Sequence, residues 1–339
     1  MSGQHVTPEA MTRSAAPPPR ARNPVAALAL SFVREWATLL ITVALVVIFI
    51  FVDPTFLTWK NFQSIFVFQT VTTCITLGIL FPLIVGEFDL SVGYLVGFIG
   101  MLGAFLAEHG WSTLPVLVVM ILAGIFVGLV NGFLTERLKI SAFIATLGTG
   151  IVLQGLTEGL SGGSILVNNI PKFVVKLAQG QAGGLAICVW ITLGLAVILF
   201  YVLEQTPLGR NLYAVGGSPR VAFLAGLRVS RLKVFTFAAS GLLVAVGAII
   251  GLGQNGSASP AYGPDLLLPA YAAAFLSVTT YRGGYFNVAG AIVGILLLAI
   301  GFNGLSLMGV PFWVQPVFNG AVLIVAVAVA RAESRQVRV

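Results

Sequence analysis

The run Glu204-Gln-Thr-Pro-Leu-Gly-Arg210-Asn-Leu-Tyr-Ala-Val-Gly216-Gly217-Ser218-Pro219-Arg220-Val-Ala-Phe223-Leu224-Ala-Gly226-Leu-Arg228-Val-Ser-Arg231-Leu-Lys233 separates two long apolar segments. It holds five of the chain's 18 cations. Ser218-Pro219 reads as an N-cap followed by proline at the first helical position. Arg220 to Ala225 then makes about two turns, and Gly226 stops them. On so short a helix Phe223 and Leu224 stand exposed. A surface helix with apolar residues and flanking arginines suits docking into a partner's groove. It equally suits lying on anionic lipid, and the residues alone leave both open.

Outward from this run the chain turns apolar. Of its 339 residues 58% are hydrophobic and 9% charged, with mean hydropathy +1.01. A soluble domain carries about 25% charged residues, so this composition indicates an all-α polytopic membrane protein. Runs long enough to approach a bilayer crossing fall at 36–52, 64–86, 90–107, 114–134, 141–160, 184–203, 232–253, 267–280, 287–307 and 312–330. The eighth is short and the fifth is polar for a span. The first starts near Trp36, late for a cleaved leader, and reads as an uncleaved helix.

The net charge of +7 sits in short loops. Placing the N-terminus inside puts 15 of the 18 cations on the inner side, leaving Lys60, Lys172 and Lys176 outside. That asymmetry predicts ten spans with both termini cytoplasmic and removes nucleic acid as a partner. Residues 1–35, rich in Pro, Ala and Arg, read as a disordered cytoplasmic tail. Residues 36–330 form the membrane domain, with 204–233 as its largest cytoplasmic loop, and 331–339 a second tail. The longest outer loop, Ser161 to Gly183, holds a short helical stretch at Val174 to Gln179. A second outer loop, Gln254 to Asp265, is polar and turn-rich.

Chemistry-bearing constellations are missing. None of the five lysines follows a glycine, so there is no Walker A site. There is no HExxH, and the chain does not read as an enzyme. His5 and His109 are isolated, which leaves no metal site. Cys74 and Cys188 sit in apolar segments and read as buried thiols.

The sharpest polar feature inside the membrane domain is Gly86-Glu87-Phe88-Asp89-Leu90-Ser91-Val92-Gly93. Two carboxylates interrupt long apolar sequence, flanked by Pro82 and glycines that let the backbone break. Charge at membrane depth faces a cavity or a partner, which makes Glu87 and Asp89 candidates for a translocation path. Asp89 also suits an N-cap for the third helix. Asn131 and Asn303, each before a glycine near a helix end, suit the path or interhelical hydrogen bonding. Gln154 and Glu158 share a face of the fifth helix, and Gln154 joins the path candidates. Gly128-Leu-Val-Asn131-Gly132 is echoed by Gly301-Phe-Asn303-Gly304, and Asp89-Leu90 by Asp265-Leu266. An offset of five spans between such echoes predicts an inverted repeat of helices 2–5 and 7–10.

In order along the chain, four motifs resemble the membrane permease subunits of ribose-type ABC importers, a group that includes branched-chain amino-acid permeases. Gly86-Glu-Phe-Asp-Leu-Ser-Val-Gly93 is similar to the family's G-G-I-D-L-S-V-G. Asn131-Gly-Phe-Leu134 with Ile140-Ser-Ala-Phe-Ile-Ala-Thr-Leu-Gly-Thr149 is similar to N-G-x-L followed by F-I-A-T-L-G. Gly209-Arg-Asn-Leu-Tyr-Ala-Val-Gly-Gly-Ser218 through Gly226 resembles the cytoplasmic G-R-x-x-Y-A-x-G-G signature. Asn303-Gly-Leu-Ser-Leu-Met-Gly309 resembles the late N-G-L-x-L-x-G. Glu87 in place of glycine, and Leu267 to Val278 without the family's two acids, mark a divergent subgroup.

The resemblance implies a homodimer in the bacterial inner membrane, enclosing a path for a sugar or related small polar solute. It implies a solute-binding protein outside and a separate ABC ATP-binding subunit inside, so that ATP and Mg are held by that partner and this chain has no cofactor. It makes the helix after Ser218-Pro219 the coupling helix, with Arg210, Gly216, Gly217, Ser218, Arg220, Phe223, Leu224 and Gly226 as its contact set. The competing reading is an ion-coupled secondary transporter with Glu87 and Asp89 as coupling carboxylates. The docking helix favours the importer, because a self-sufficient carrier needs none.

Overall fold

The computed structural model describes residues 36–281 and 284–336, with side chains as far as Ala330. The expected N-terminal tail and Arg282 lie outside the described residues. Thirteen α-helices account for most of the described residues. They are α1 (Ala37–Val52), α2 (Trp59–Ile84), α3 (Val92–Glu108), α4 (Thr113–Glu136), α5 (Ala142–Ser161) and α6 (Lys172–Gln179). There follow α7 (Ile187–Gln205), α8 (Pro207–Gly217), α9 (Pro219–Leu224), α10 (Val229–Asn255), α11 (Leu267–Leu276), α12 (Val288–Leu307) and α13 (Val314–Gln336). A two-stranded hairpin, β1 (Gln181–Ala182) with β2 (Leu185–Ala186), precedes α7.

Each of the ten apolar runs coincides with a helix. Six of these, α2, α4, α5, α7, α10 and α12, are long and apolar enough to cross a membrane; α1, α3, α11 and α13 present shorter apolar stretches. Polar α5 is continuous over its 20 residues. The expected C-terminal tail begins as helix, because α13 continues to Gln336. The short outer helix forms as α6, with Val174 and Ala178 buried against Gly253 of α10.

Two helices make the centre. From Thr70 to Ile84 every residue of α2 is buried, and the hydroxyls of Thr70, Thr73 and Thr76 donate to carbonyls three or four residues back. Beside it α10 packs on α2, α3 and α4. The tightest contact is α4 on α10, and glycines permit it. A Cβ at Gly124 would lie 2.4 Å from the Gly241 carbonyl oxygen, and one at Gly128 2.2 Å from that of Phe237. Gly124, Gly128 and Gly132 recur every four residues on one face, the small-residue spacing that lets membrane helices touch through their backbones.

The packing is mirrored between two halves. α3 packs on α4 and α5 as α11 packs on α12 and α13; α10 packs on α3 and α4 as α2 packs on α11 and α12. α2 and α10 pack on each other where the halves meet. These are the contacts an inverted repeat of α2–α5 and α10–α13 requires.

The two ends differ in chemistry. Arg137, Lys139, Arg210, Arg220, Arg228, Arg231 and Lys233 lie in or beside the helix termini and loops of one end; Lys60, Lys172 and Lys176 lie at the other. Trp59, Trp111, Trp190 and Trp313 all belong to the cation-poor end and are exposed. Aromatic rings favour the bilayer interface and cations the cytoplasmic side.

Candidate functional site

The connection from Val85 to Ser91 does not run over the surface. It leaves α2 after Pro82 and re-enters the bundle, leaving Asp89 1% exposed. One oxygen of Asp89 accepts hydrogen bonds from the Ser91 N–H (3.2 Å) and hydroxyl (2.6 Å); the other accepts from Ser240 of α10 (3.1 Å). Asn131 of α4 donates to the Ser91 hydroxyl (2.8 Å). The Asp89 N–H donates to the Tyr271 hydroxyl of α11 (3.0 Å), and the Leu90 N–H to Thr146 of α5 (3.0 Å). Asp89 therefore closes the turn leading into α3; Ser91, at the cap position, makes no side-chain cap of its own.

Ser240 lies 11 residues into α10, about 16 Å along its axis at the α-helical rise. The break is thus well inside the bundle, where irregular backbone is tolerated only when protein satisfies it. Phe88, 40% exposed, lies against α11 with its ring 6.3 Å from that of Tyr271 and 6.4 Å from that of Phe275.

A second break faces the first. After α10 the chain turns at Gly256 and descends to Tyr262 and Gly263 before a 3-10 turn, Pro264–Leu266, leads into α11. Tyr262 and Gly263 pack on Gly97 and Gly93 at the start of α3, so closely that a Cβ on Gly97 would meet the Tyr262 carbonyl at 2.1 Å. The beginnings of α3 and α11 therefore lie side by side. Helix α5 touches both breaks, through Thr146 at Leu90 and through Gln154, which donates to the Pro260 carbonyl (3.3 Å) and to Glu158 (2.9 Å).

Of the five path candidates, Asp89 and Asn131 share one network and Gln154 holds the opposite break. Glu87 sits at the rim, ion-paired to Lys233, which also lies 3.5 Å from Glu136. Asn303 is elsewhere: it exchanges hydrogen bonds with Asn61 (2.9 Å each way) near the cation-poor end of α12. Sequence reading missed Ser91, Thr146, Ser240 and Tyr271, whose partners are 40 or more residues away except for Asp89 beside Ser91. Lys233 was legible only as a cation.

At the cation-rich end the loop forms two helices. α8 buries Gly209, Leu212 and Val215. Gly216 lets it lie against α2, since a Cβ there would sit 1.9 Å from the Ile84 carbonyl oxygen. Tyr213 donates to the Phe286 carbonyl (2.7 Å). α9 has the expected start, with the Ser218 hydroxyl accepting from the Val221 N–H (3.4 Å) and Pro219 first. It has the expected stop as well, with Gly226 at φ +87°. Only Ala222 is buried; Phe223 is 69% and Leu224 77% exposed, beside exposed Val221. Arg210, Arg220, Arg228 and Arg231 are exposed around them.

A profile of the family described as branched-chain amino acid transport system / permease component matches residues 61–327. The chain belongs to that family. This permease is 29% identical to the ribose import permease protein RbsC of Haemophilus influenzae over 87% of the chain and 93% of the relative. It is 31% identical to the L-arabinose ABC transporter permease protein AraH of Azospirillum brasilense (91% and 90%). It is 32% identical to the galactose/methyl galactoside import permease protein MglC of H. influenzae (82% and 88%). No solved structure matches it. As a permease component with multiple apolar spans, it is a transporter subunit of the bacterial inner membrane rather than an enzyme.

Proposed function

We propose that this permease forms the translocation path of an ABC importer for a sugar or related small polar solute. A separate ATP-binding subunit, which holds ATP and Mg, drives it, and an extracytoplasmic binding protein feeds it. The observation that carries this is α9: a capped helix held out from the bundle with Val221, Phe223 and Leu224 bare and arginines around them. Such a patch beside the cation-rich end suits a docked partner, and membership of a family of ABC-importer permeases favours that over a lipid surface. The sugar class rests on the relatives, whose names specify ribose, arabinose and galactose.

In this reading all ten apolar helices span and both termini are cytoplasmic, supported by cations at one end and tryptophans at the other. Two copies enclose the path. Supporting this, α5 turns an unusual face outward for a span: Gly148, Gly155 and Gly159 have open space, and Glu158 is exposed beside Gln154. Gln154 then lines the path, Asp89 and Asn131 hold its break, Glu87 stands at the inner rim and Asn303 toward the outer. The hydrogen-bonded state of Asp89 and the ion pair of Glu87 weigh against these groups as free ion-coupling carboxylates.

The test is uptake of labelled pentoses, hexoses and leucine into cells carrying the permease with its ATP-binding and binding-protein partners. Sugar uptake lost on ATP depletion and retained with a proton ionophore is the expected result. Uptake that survives ATP depletion and collapses with the ionophore overturns the importer; uptake of leucine alone overturns the substrate class.

A further inference from the structure

Three pieces of chain are clamped together twice between α9 and the first break: the Val85–Ser91 connection, the end of α4 and the start of α10. The deeper clamp is the Asp89 network, in which Asp89 represents the connection, Ser240 represents α10 and Asn131 represents α4 through Ser91. The shallower clamp is ionic. Lys233 of α10 bonds Glu87 of the connection and lies 3.5 Å from Glu136 of α4. Glu136 is also 3.5 Å from Lys139, whose side chain is 74% exposed. Lys233 and Ser240 are seven residues apart, two turns on one face of α10.

The ionic clamp is built unlike a surface pair. Lys233 is 15% exposed and Glu136 8%, and one ammonium serves two carboxylates from two other elements. A surface pair adds little and tolerates substitution; removing one partner of a buried set strands the others. The clamp also sits where α9's movement arrives. Gly226 ends α9, and Lys233 lies in the first turns of α10. α9 joins the bundle on two sides, through α8, which packs on the Ile84 end of α2, and through this stretch into α10, so a displacement of α9 reaches the connection from α2 and the clamp from α10.

We propose that Lys233 is a positioning residue for transport: it ties the start of α10 to the Val85–Ser91 connection and to α4, so that a displacement of α9 moves the Asp89 break as one unit. This rests on the importer reading. The ammonium contributes no contact to solute or to the ATP-binding subunit. Without it, α9 still docks and α10 still moves, while the connection and α4 no longer move with α10.

The experiment uses the complete importer in liposomes and reads solute taken up per ATP hydrolysed, together with the amount of ATP-binding subunit that copurifies. For K233M the uptake per ATP falls at least about five-fold while the copurifying subunit is unchanged. K233R, which keeps the charge, returns to within about two-fold of the parent. K233M/E87Q/E136Q removes the stranded carboxylates and so guards against simple misfolding. It is expected to melt like the parent and still show the low ratio. Full recovery of the ratio in that triple variant overturns the proposal, because Lys233 would then only neutralise charge. An unchanged ratio in K233M overturns it too. A parent complex with no ATP-dependent uptake brings down the importer reading itself, and this inference with it.

Discussion

Replacing Phe223 with aspartate separates docking from folding. Phe223 is 69% exposed and Ala222 is the buried residue of α9, so the bundle loses little. A surface substitution of this kind changes stability by about 0.5 kcal/mol or less. Docking loses much more. A fully buried phenylalanine removes roughly 150–250 Å² from water, and about two-thirds of that is still available on α9. At about 25 cal/mol per Å² this is roughly 2.5–4 kcal/mol before association costs. A net loss of about 2–3 kcal/mol corresponds to a 30- to 150-fold weaker complex. The assay titrates the ATP-binding subunit onto the permease in lipid nanodiscs, with thermal unfolding as control and ATP-driven uptake as readout. If F223D binds the subunit within about two-fold of the parent and transports normally, α9 is not the docking element.

Other outcomes follow from contacts already described. Asp89→Ala leaves the Ser91 and Ser240 hydroxyls buried without their acceptor, at about 1–3 kcal/mol for each unsatisfied group. It impairs uptake more than Glu87→Gly, which leaves Lys233 its second carboxylate; the reverse order of uptake rates would contradict this. Gly128→Leu drives a side chain into the Phe237 carbonyl, 2.2 Å from the added Cβ. It should cost about 1–3 kcal/mol or more and appear as loss of monodisperse protein on size-exclusion chromatography; a normal profile would count against the close α4–α10 contact. Asn303→Leu leaves the Asn61 Oδ1 without its donor at a cost of about 1 kcal/mol, while Asn61 keeps its bond to the Phe56 carbonyl; N61L, N303L and N61L/N303L then show losses that are less than additive. Melting temperatures of N61L, N303L and N61L/N303L decide this, and additive losses would show that the pair is not coupled.

How much of this was legible beforehand depended on range. The ten apolar runs all became helices because the signal for a membrane helix is local and strong. The start and stop of α9 were readable because Ser218, Pro219 and Gly226 act within a few residues of themselves. α8 was not anticipated: its buried face of Gly209, Leu212 and Val215 is defined by the ends of α7 and α2 that it meets, Gly209 at the Leu203 carbonyl and Gly216 at that of Ile84. The glycines every fourth residue on α4 were visible, yet their partner on α10 was not. At the site, Asp89 stood out as a charge in apolar sequence, whereas Ser240 and Tyr271 are ordinary residues on distant helices. Asn131 and Asn303, matched as an echo, lie toward opposite ends. An inverted repeat would place them so, and composition cannot show it.

The mirrored halves carry one more implication. In an inverted pair, opening toward one side and opening toward the other are the same motion with the roles of the halves exchanged. Were the halves identical in sequence, the two postures would be isoenergetic and the molecule would have no resting preference. The preference must then come from places where equivalent residues differ, and the two breaks supply one. Asp89 is enclosed and held by three hydrogen bonds, while its counterpart Asp265 stands exposed ahead of α11. The first break is the latched side of a see-saw and the second the loose side. If the halves work as an inverted pair, the resting tilt of the transporter follows from that difference, and the proposed ATP-binding subunit need supply only enough to offset it.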